Sequence, residues 1–524
     1  MRKTAVLPAL AGVGLSVLLG VGPAAAATAT PATPGSASRT TVSWTPCTGD
    51  LEGLECGMVS VPLDYHQPRG KKIKLALTRK AHTVPADQYQ GILLMNPGGP
   101  GGSGLGAPFW FSGSVAEESS AAYDLIGFDP RGVGASEPRL VCGSSYDAPV
   151  RPDYVPSGPA DERAWLARAK DFAQRCGQAF GRLLPHMTTA DSARDLDSIR
   201  AALGQQKLNY FGYSWGTYLG ATYATMFPHR VRRLVLDSIV RPSGVWYADN
   251  LDQDRAFDLR AKAFFGWVAK YDAVYHLGTT GADVEKKYYE LRAKLKTAPA
   301  RGEVGPDELD DTYLVGGYTN SVWHFLALGL SQSAAGSDDF LAVLYEAFAA
   351  TADDSGHALY LATSCTDARW PRNWNVWHRD NTALYATAPF LTWANAWFNA
   401  PCVYWPARAD RPVQISGRGL PPVLLFQATN DAATPYPGGI EMHGLLPSSR
   451  LVVEEGGGNH GISLSGNECL DGYLKSYLTD GTLPASRPGP DATCATLGDP
   501  VPPQATLTAR SATPDELPAV RVRR

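Results

Sequence analysis

Residues 212–216, Gly-Tyr-Ser-Trp-Gly, restrict this chain more than any other stretch. They follow a short β-type run (208–211) and precede a helix-like run that ends at Phe227-Pro228. A serine between glycines at such a strand-to-helix turn is held in a tight, strained bend. Side chains two residues before or after it would collide there, and the following helix offers free backbone N–H groups to a developing anion. Ser214 is therefore the candidate nucleophile. A plain glycine-rich turn carries the same signature, so the meaning of Ser214 depends on what the rest of the chain supplies.

The flanking pattern alternates strands with helices. Residues 57–64 and 72–81 alternate apolar and polar like an antiparallel pair, whereas 91–95, 123–128, 233–237, 423–428 and 451–454 are short solid apolar runs of the buried-strand type. Amphipathic helices are predicted over 161–177, 189–203 and 470–478. This order predicts an α/β fold with a mostly parallel central sheet. From about 242 to 406 the strand grammar stops and helical stretches rich in Trp, Tyr and Phe take over. An insertion of that length is a lid and not a loop. The expected division is a core in two pieces, 42–241 and 407–497, a helical lid over 242–406, and a Pro-rich extended tail over 498–524.

A serine needs a base, and the base needs an orienting carboxylate. In this architecture those partners follow the serine on loops after later strands, acid first. Asp431 lies after the strand ending at Ala428, and His460, between Asn459 and Gly461, lies after the next strand. Asp237, after the strand that follows the serine, is the rival acid. Residues 98–104, rich in glycine after a buried strand, lack the Lys-Ser/Thr of a phosphate loop. They suit an oxyanion hole, with the backbone N–H of Gly99 and of Trp215 as donors. Asp129 and Arg131 read as braces for the loop beside the elbow.

Arg2 and Lys3, an apolar stretch over 5–21 and Ala-x-Ala choices over 23–29 predict a secretory signal peptide over 1–29. A leader or pro-segment is expected over 30–41. The apolar stretch is too short and too broken by Pro8 and glycines for a membrane anchor. Eight cysteines in an exported chain, none in a Cys-x-x-Cys pair, favour disulfides over metal. Chain order suggests Cys47 with Cys56, Cys142 with Cys176, Cys365 with Cys402 and Cys469 with Cys494, among about a hundred pairings open to eight cysteines. The net charge of −4, with no basic run except the terminal Arg-Val-Arg-Arg, argues against nucleic acid as a partner. No cofactor and no metal is expected, and the chain is expected to be a monomer.

Taken together these residues resemble the α/β-hydrolases, and more narrowly one branch of them. Pro97-Gly98-Gly99-Pro100-Gly101 is similar to the His-Gly-Gly-Pro-Gly loop of proline iminopeptidases, with Pro97 in place of the histidine. The full string 96–104, with Val61-Pro62-Leu63-Asp64-Tyr65, Phe128-Asp129-Pro130-Arg131-Gly132 and Tyr404-Trp405-Pro406, resembles the secreted tripeptidyl aminopeptidases of actinobacteria. The resemblance spans about 45–495. It implies removal of short peptides, commonly tripeptides, from a free N-terminus through an acyl-enzyme. One departure is Val268-Ala269, where relatives often carry a cysteine.

Exopeptidase character needs a carboxylate for the substrate's ammonium. The lid offers Asp249, Asp252, Asp254, Asp258, Asp310, Asp311, Glu346 and Asp367, of which Asp367 is favoured because Cys365 beside it could be pinned by a bridge. Lid tryptophans such as Trp370, Trp374, Trp393 and Trp397 read first as core, with stacking on a substrate proline as the other role. A secreted carboxylesterase or lipase would share every argument about Ser214, Asp431 and His460.

Overall fold

A computed structural model of the protein describes residues 42–503 except residue 352. The expected signal peptide, the whole expected leader and the tail beyond 503 lie outside the described residues. The strands are β1 (Thr45–Pro46), β2 (Glu55–Pro62), β3 (Lys72–Lys80), β4 (Ile92–Asn96), β5 (Asp124–Phe128), β6 (Leu208–Tyr213), β7 (Val231–Asp237), β8 (Val423–Ala428), β9 (Ser449–Glu455) and β10 (Ala492–Ala495). They form one sheet in the order β1-β2-β3-β5-β4-β6-β7-β8-β9-β10. From β5 to β10 every neighbouring pair is parallel, and β1, β2 and β3 complete the other side with antiparallel pairings.

The central strands are solid apolar runs because both faces are covered. Every residue of β4 and β6 is buried. Successive side chains point to opposite faces, so Ile92 and Leu94 join one apolar cluster while Leu93 and Met95 join the other. Two short edge strands, β1 and β10, escape the sequence pattern; β10 has alternating burial over only four residues.

Between β7 and β8 the regular elements are helical, from Pro242–Gly244 to Ala400–Val403. The longest, Tyr247–Lys270, packs against Gly281–Leu295 and Pro306–Tyr318. This insertion has no separate core. Trp267, Trp323 and Trp397 belong to the same apolar cluster as Leu94 of β4 and Leu236 of β7. Trp370, Trp393 and Trp397 are buried, and Trp374 stacks on Trp397 at 4.6 Å. Trp370, Trp393 and Trp397 are core groups, and Trp374 packs half-buried against them. Val268 is fully buried among apolar groups.

The four disulfides are Cys47–Cys56, Cys142–Cys176, Cys365–Cys402 and Cys469–Cys494, the pairing that chain order suggested. Cys365–Cys402 ties the helix Ser355–Asp367 to the end of the insertion, and Cys469–Cys494 ties the helix Glu468–Thr479 to β10. Alkylation under denaturing conditions should leave all eight cysteines unmodified before reduction and label all eight after it, read by intact mass. Replacing Cys365 and Cys402 by alanine together should cost about 2–4 kcal/mol, seen as a lower melting temperature.

Candidate active site

Ser214 sits between β6 and the helix Trp215–Met226 with φ 56° and ψ −127°, in the left-handed region that side chains avoid. Such a residue costs about 1–3 kcal/mol and persists only where its surroundings hold it. Three bonds do so. Ser214 N–H donates to the Asp237 carbonyl at 3.0 Å, and the Ser214 carbonyl accepts from the N–H and the hydroxyl of Thr217 at 2.8 and 2.6 Å. The flanking glycines have the steric role expected of them. A Cβ on Gly212 would lie 2.5 Å from the Gly216 carbonyl oxygen, and one on Gly216 would lie 2.8 Å from Asn96 Oδ1.

The glycine loop closes over the serine from β4. Asn96, the last residue of β4, accepts from Gly98 N–H at 2.9 Å, and Gly98 and Gly99 both take positive φ. A Cβ on Gly98 would sit 2.7 Å from the Cβ of Ser214, so no other residue fits there. Gly99, Ser214 and Trp215 line one cavity, which places both expected oxyanion donors beside the serine. Asp129 accepts from Ser103 Oγ, Gly104 N–H and Ala135 N–H, and Arg131 makes a bidentate pair with Asp195 at 2.7 Å on each arm. Both are braces.

His460 Nδ1 lies 2.9 Å from Asp431 Oδ2 and 3.1 Å from Oδ1. Asp431 is itself fixed by the N–H groups of Ala433 and Thr434 and by the Thr434 hydroxyl. A carboxylate can only accept, so Nδ1 carries the proton and Nε2 is left as the basic nitrogen. Nε2 is buried with no hydrogen-bond partner among the described residues. Thr434 also lines the Ser214 cavity and lies 3.4 Å from His460 Nδ1, which joins the Asp–His pair to the serine's cavity. In the sequence Thr434-Pro435, three residues after Asp431, marks only a candidate capping role for Asp431 and no part of the site for Thr434.

Asp237, the rival acid, holds the loop instead of the imidazole. Its carboxylate accepts from Ile462 N–H at 3.2 Å, from Ser463 N–H at 2.7 Å and from the Ser463 hydroxyl. The lid clamps the same loop from the other side. His460 N–H donates to the Tyr318 carbonyl at 2.8 Å, and the Tyr318 ring meets the imidazole edge-on at 5.5 Å.

The expected ammonium anchor is in the wrong place. Asp367 does not line the Ser214 cavity. It is buried behind the cavity wall, where its oxygens accept from Thr189 N–H and Thr189 Oγ1, both at 2.6 Å, and from Trp246 Nε1 at 3.3 Å. These three donors turn the carboxylate toward Thr189 and Trp246, and the small cavity that it lines with Thr189 and Tyr218 is a different one from that of Ser214. Of the eight lid acids considered, Asp249 is the one that lines the cavity, together with Trp246, Asn250, Gln253 and Tyr360. Asp249 Oδ1 is 3.4 Å from Arg241 Nε, and Oδ2 is buried without a hydrogen-bond partner among the described residues. Burial pushes its carboxyl well above the usual carboxylate range, against the pull of Arg241. Nothing in the sequence near Asp249 separated it from the other lid acids.

A parallel sheet with a strained serine after its central strand, a paired Asp and His on later loops and a glycine loop over the serine define a serine hydrolase of the α/β-hydrolase type. The family model for the alpha/beta hydrolase fold matches residues 91–464. The chain is 44% identical over 480 residues to a tripeptidyl aminopeptidase of Streptomyces lividans, covering 89% of each chain. It is 32% identical over 478 residues to the serine protease Hip1 of Mycobacterium tuberculosis, covering 85% of this chain and 90% of that one. A carboxylesterase B of the same organism is 33% identical over 470 residues, covering 84% and 88%. The chain belongs to the tripeptidyl aminopeptidase family of α/β-hydrolases.

Ser214→Ala and His460→Ala should each lower kcat by about 10⁶-fold, because either change dismantles the nucleophile–base unit. Asp431→Asn should cost about 10⁴-fold through the wrong imidazole tautomer. Labelling by a fluorophosphonate should vanish in Ser214→Ala. Asp237→Asn should lower the melting temperature and the titratable fraction of active sites, with a smaller loss of kcat per site than Asp431→Asn. The reverse ranking would move the acid to Asp237.

Proposed function

We propose that this chain is a secreted serine exopeptidase that removes short peptides, tripeptides in particular, from free N-termini. The observation that carries the reading is Asp249, a half-buried carboxylate whose Oδ2 is buried without a hydrogen-bond partner among the described residues, in the same cavity as Ser214. A substrate ammonium satisfies that oxygen, and an uncharged acyl ester does not. The name of the Streptomyces relative supports the length of the released peptide. Four disulfides, which persist in oxidising compartments, and the signal-like composition of the first residues support export. Trp246 and Tyr360 on the cavity wall offer faces for a prolyl ring, so cleavage after proline is part of the proposal.

In this reading Ser214 Oγ attacks the carbonyl of the scissile bond while His460 Nε2 takes its proton. Asp431 stabilises the imidazolium. The oxyanion is received by the N–H groups of Gly99 and Trp215. The imidazolium then returns its proton to the leaving amine. Water, deprotonated by the same nitrogen, releases the peptide acid from Ser214. Asp249 sets the distance from the ammonium to the scissile bond and so the number of residues removed. Its position on the first turn of Tyr247–Lys270 and Arg241 beside it favour the ionised form against the effect of burial, and the arriving ammonium completes that ionisation.

The name of the mycobacterial carboxylesterase favours a second reading, that of an esterase. Matched tripeptide substrates with free and acetylated N-termini separate the two. The free substrate should be cleaved about 10- to 150-fold better in kcat/KM, the worth of one buried charge-assisted hydrogen bond. Asp249→Asn should erase most of that difference and leave the blocked substrate nearly unchanged. Equal cleavage of the two by the native enzyme would defeat the exopeptidase reading. Mass spectrometry of fragments from an unblocked peptide library then gives the length released and the residue before the cut.

A further inference from the structure

Asp367 lies outside the substrate cavity, yet its hydrogen bonds lead to two residues of the cavity wall. Thr189 Oγ1 lies 2.6 Å from Asp367 Oδ2 and 3.1 Å from Trp215 Nε1. An indole nitrogen can only donate, and a threonine hydroxyl has a single proton. The direction of the chain is therefore fixed: Trp215 Nε1–H donates to Thr189 Oγ1, whose own proton goes to Asp367. From the other side Trp246 Nε1–H donates to the same oxygen, Oδ2, at 3.3 Å. The second oxygen, Oδ1, takes the backbone N–H of Thr189 at 2.6 Å, at the start of the helix Thr189–Ala202.

We propose that Asp367 is a positioning residue that locks the two tryptophans flanking Ser214, Trp215 through Thr189 and Trp246 directly. The inference rests on the reading of Ser214 as nucleophile and of the Trp215 N–H as oxyanion donor. Trp215 is the first residue of the helix behind Ser214, so tethering its indole from below restrains the turn that presents that N–H. Trp246 immediately precedes the helix Tyr247–Lys270, and its carbonyl accepts from Asn250 N–H and Asn250 Nδ2 at 3.2 and 2.9 Å. Holding Trp246 thus also holds the helical turn that carries Asp249. One carboxylate spans the core side and the lid side of the cavity, and the neighbouring Cys365–Cys402 bridge anchors its own helix.

An acceptor-only group suits the three donors that meet it. Asparagine would keep one acceptor and turn its NH₂ either against the Thr189 hydroxyl and the Trp246 indole N–H together or against the Thr189 backbone N–H. Burial pushes the Asp367 carboxyl up to about 7, a rise that the Thr189 and Trp246 hydrogen bonds oppose. Those bonds, made to the ionised form, are what keep a buried carboxylate available to both indoles.

Asp367→Asn tests the inference, with kcat expressed per active site titrated by a fluorophosphonate. Two acyl donors are compared, a free-amine tripeptide p-nitroanilide and the uncharged p-nitrophenyl acetate. The expected result is a fall of about 10- to 100-fold in kcat per site on both, since oxyanion geometry serves every acyl donor alike. Thr189→Val should reproduce the fall, Thr189→Ser should restore activity, and the double variant Asp367→Asn/Thr189→Val should lose little more than either alone. A fall confined to the free-amine substrate would return Asp367 to the role of ammonium anchor and overturn the inference. Unchanged kcat per site with a lower melting temperature would reduce Asp367 to a fold-stabilising group. If Asp367→Asn does not fold, the Thr189 variants decide the same question. Absence of fluorophosphonate labelling in the native enzyme would instead mark failure of the Ser214 reading itself.

Discussion

The backbone strain at Ser214 is held by Asp237, and much of the site hangs on that one residue. Its carbonyl takes the Ser214 N–H and its carboxylate takes the N–H groups of Ile462 and Ser463. The nucleophile and the loop of the base are thereby referred to the same point at the end of β7. A carboxylate with two N–H donors and two hydroxyls, those of Ser463 and Ser238, is satisfied by them and has no need of the imidazole. Asp431 is left to orient His460, from the next strand across.

The lid is part of the same construction. Its tryptophans share a cluster with the sheet, so it has no independent core about which to swing as a body. Its most direct contribution to the chemistry is backbone: the Tyr318 carbonyl, at the end of Pro306–Tyr318, takes the His460 N–H. The helix Tyr247–Lys270 supplies the cavity wall with Asp249 and Asn250. The helix Ser355–Asp367 gives Tyr360 to the cavity and Asp367 to the tether behind it.

Four aspartates around Ser214, three buried and Asp249 half-buried, do different work because each meets a different set of donors. Asp237 and Asp367 are filled by backbone N–H groups, hydroxyls and an indole, and they hold structure in place. Asp431 accepts from its own loop and turns its remaining capacity to the imidazole. Asp249 alone of the four keeps a buried oxygen without a hydrogen-bond partner among the described residues. Leaving a buried polar atom unmatched is unfavourable, so an arriving cation gains what the fold did not supply.

Sequence alone determined the sheet strands that are solid apolar runs, the long helices flanking them, the helical insertion and the order of Ser214, Asp431 and His460. Each of these is a local pattern: burial on both faces makes a strand uniformly apolar, and glycines around a serine mark the turn that excludes side chains. The cysteine pairing also followed from chain order, because each bridge joins nearest neighbours along the chain. Short edge strands β1 and β10 were not legible, since two to four residues carry too little alternation to register. Which lid acid faces the serine was decided by tertiary structure alone. Asp249 and Asp367 are both helical aspartates among aromatic neighbours, and the fold turns one into the cavity and the other onto Thr189 and Trp246. That choice depends on how two helices more than a hundred residues apart pack over the same turn, and no local pattern of residues encodes it.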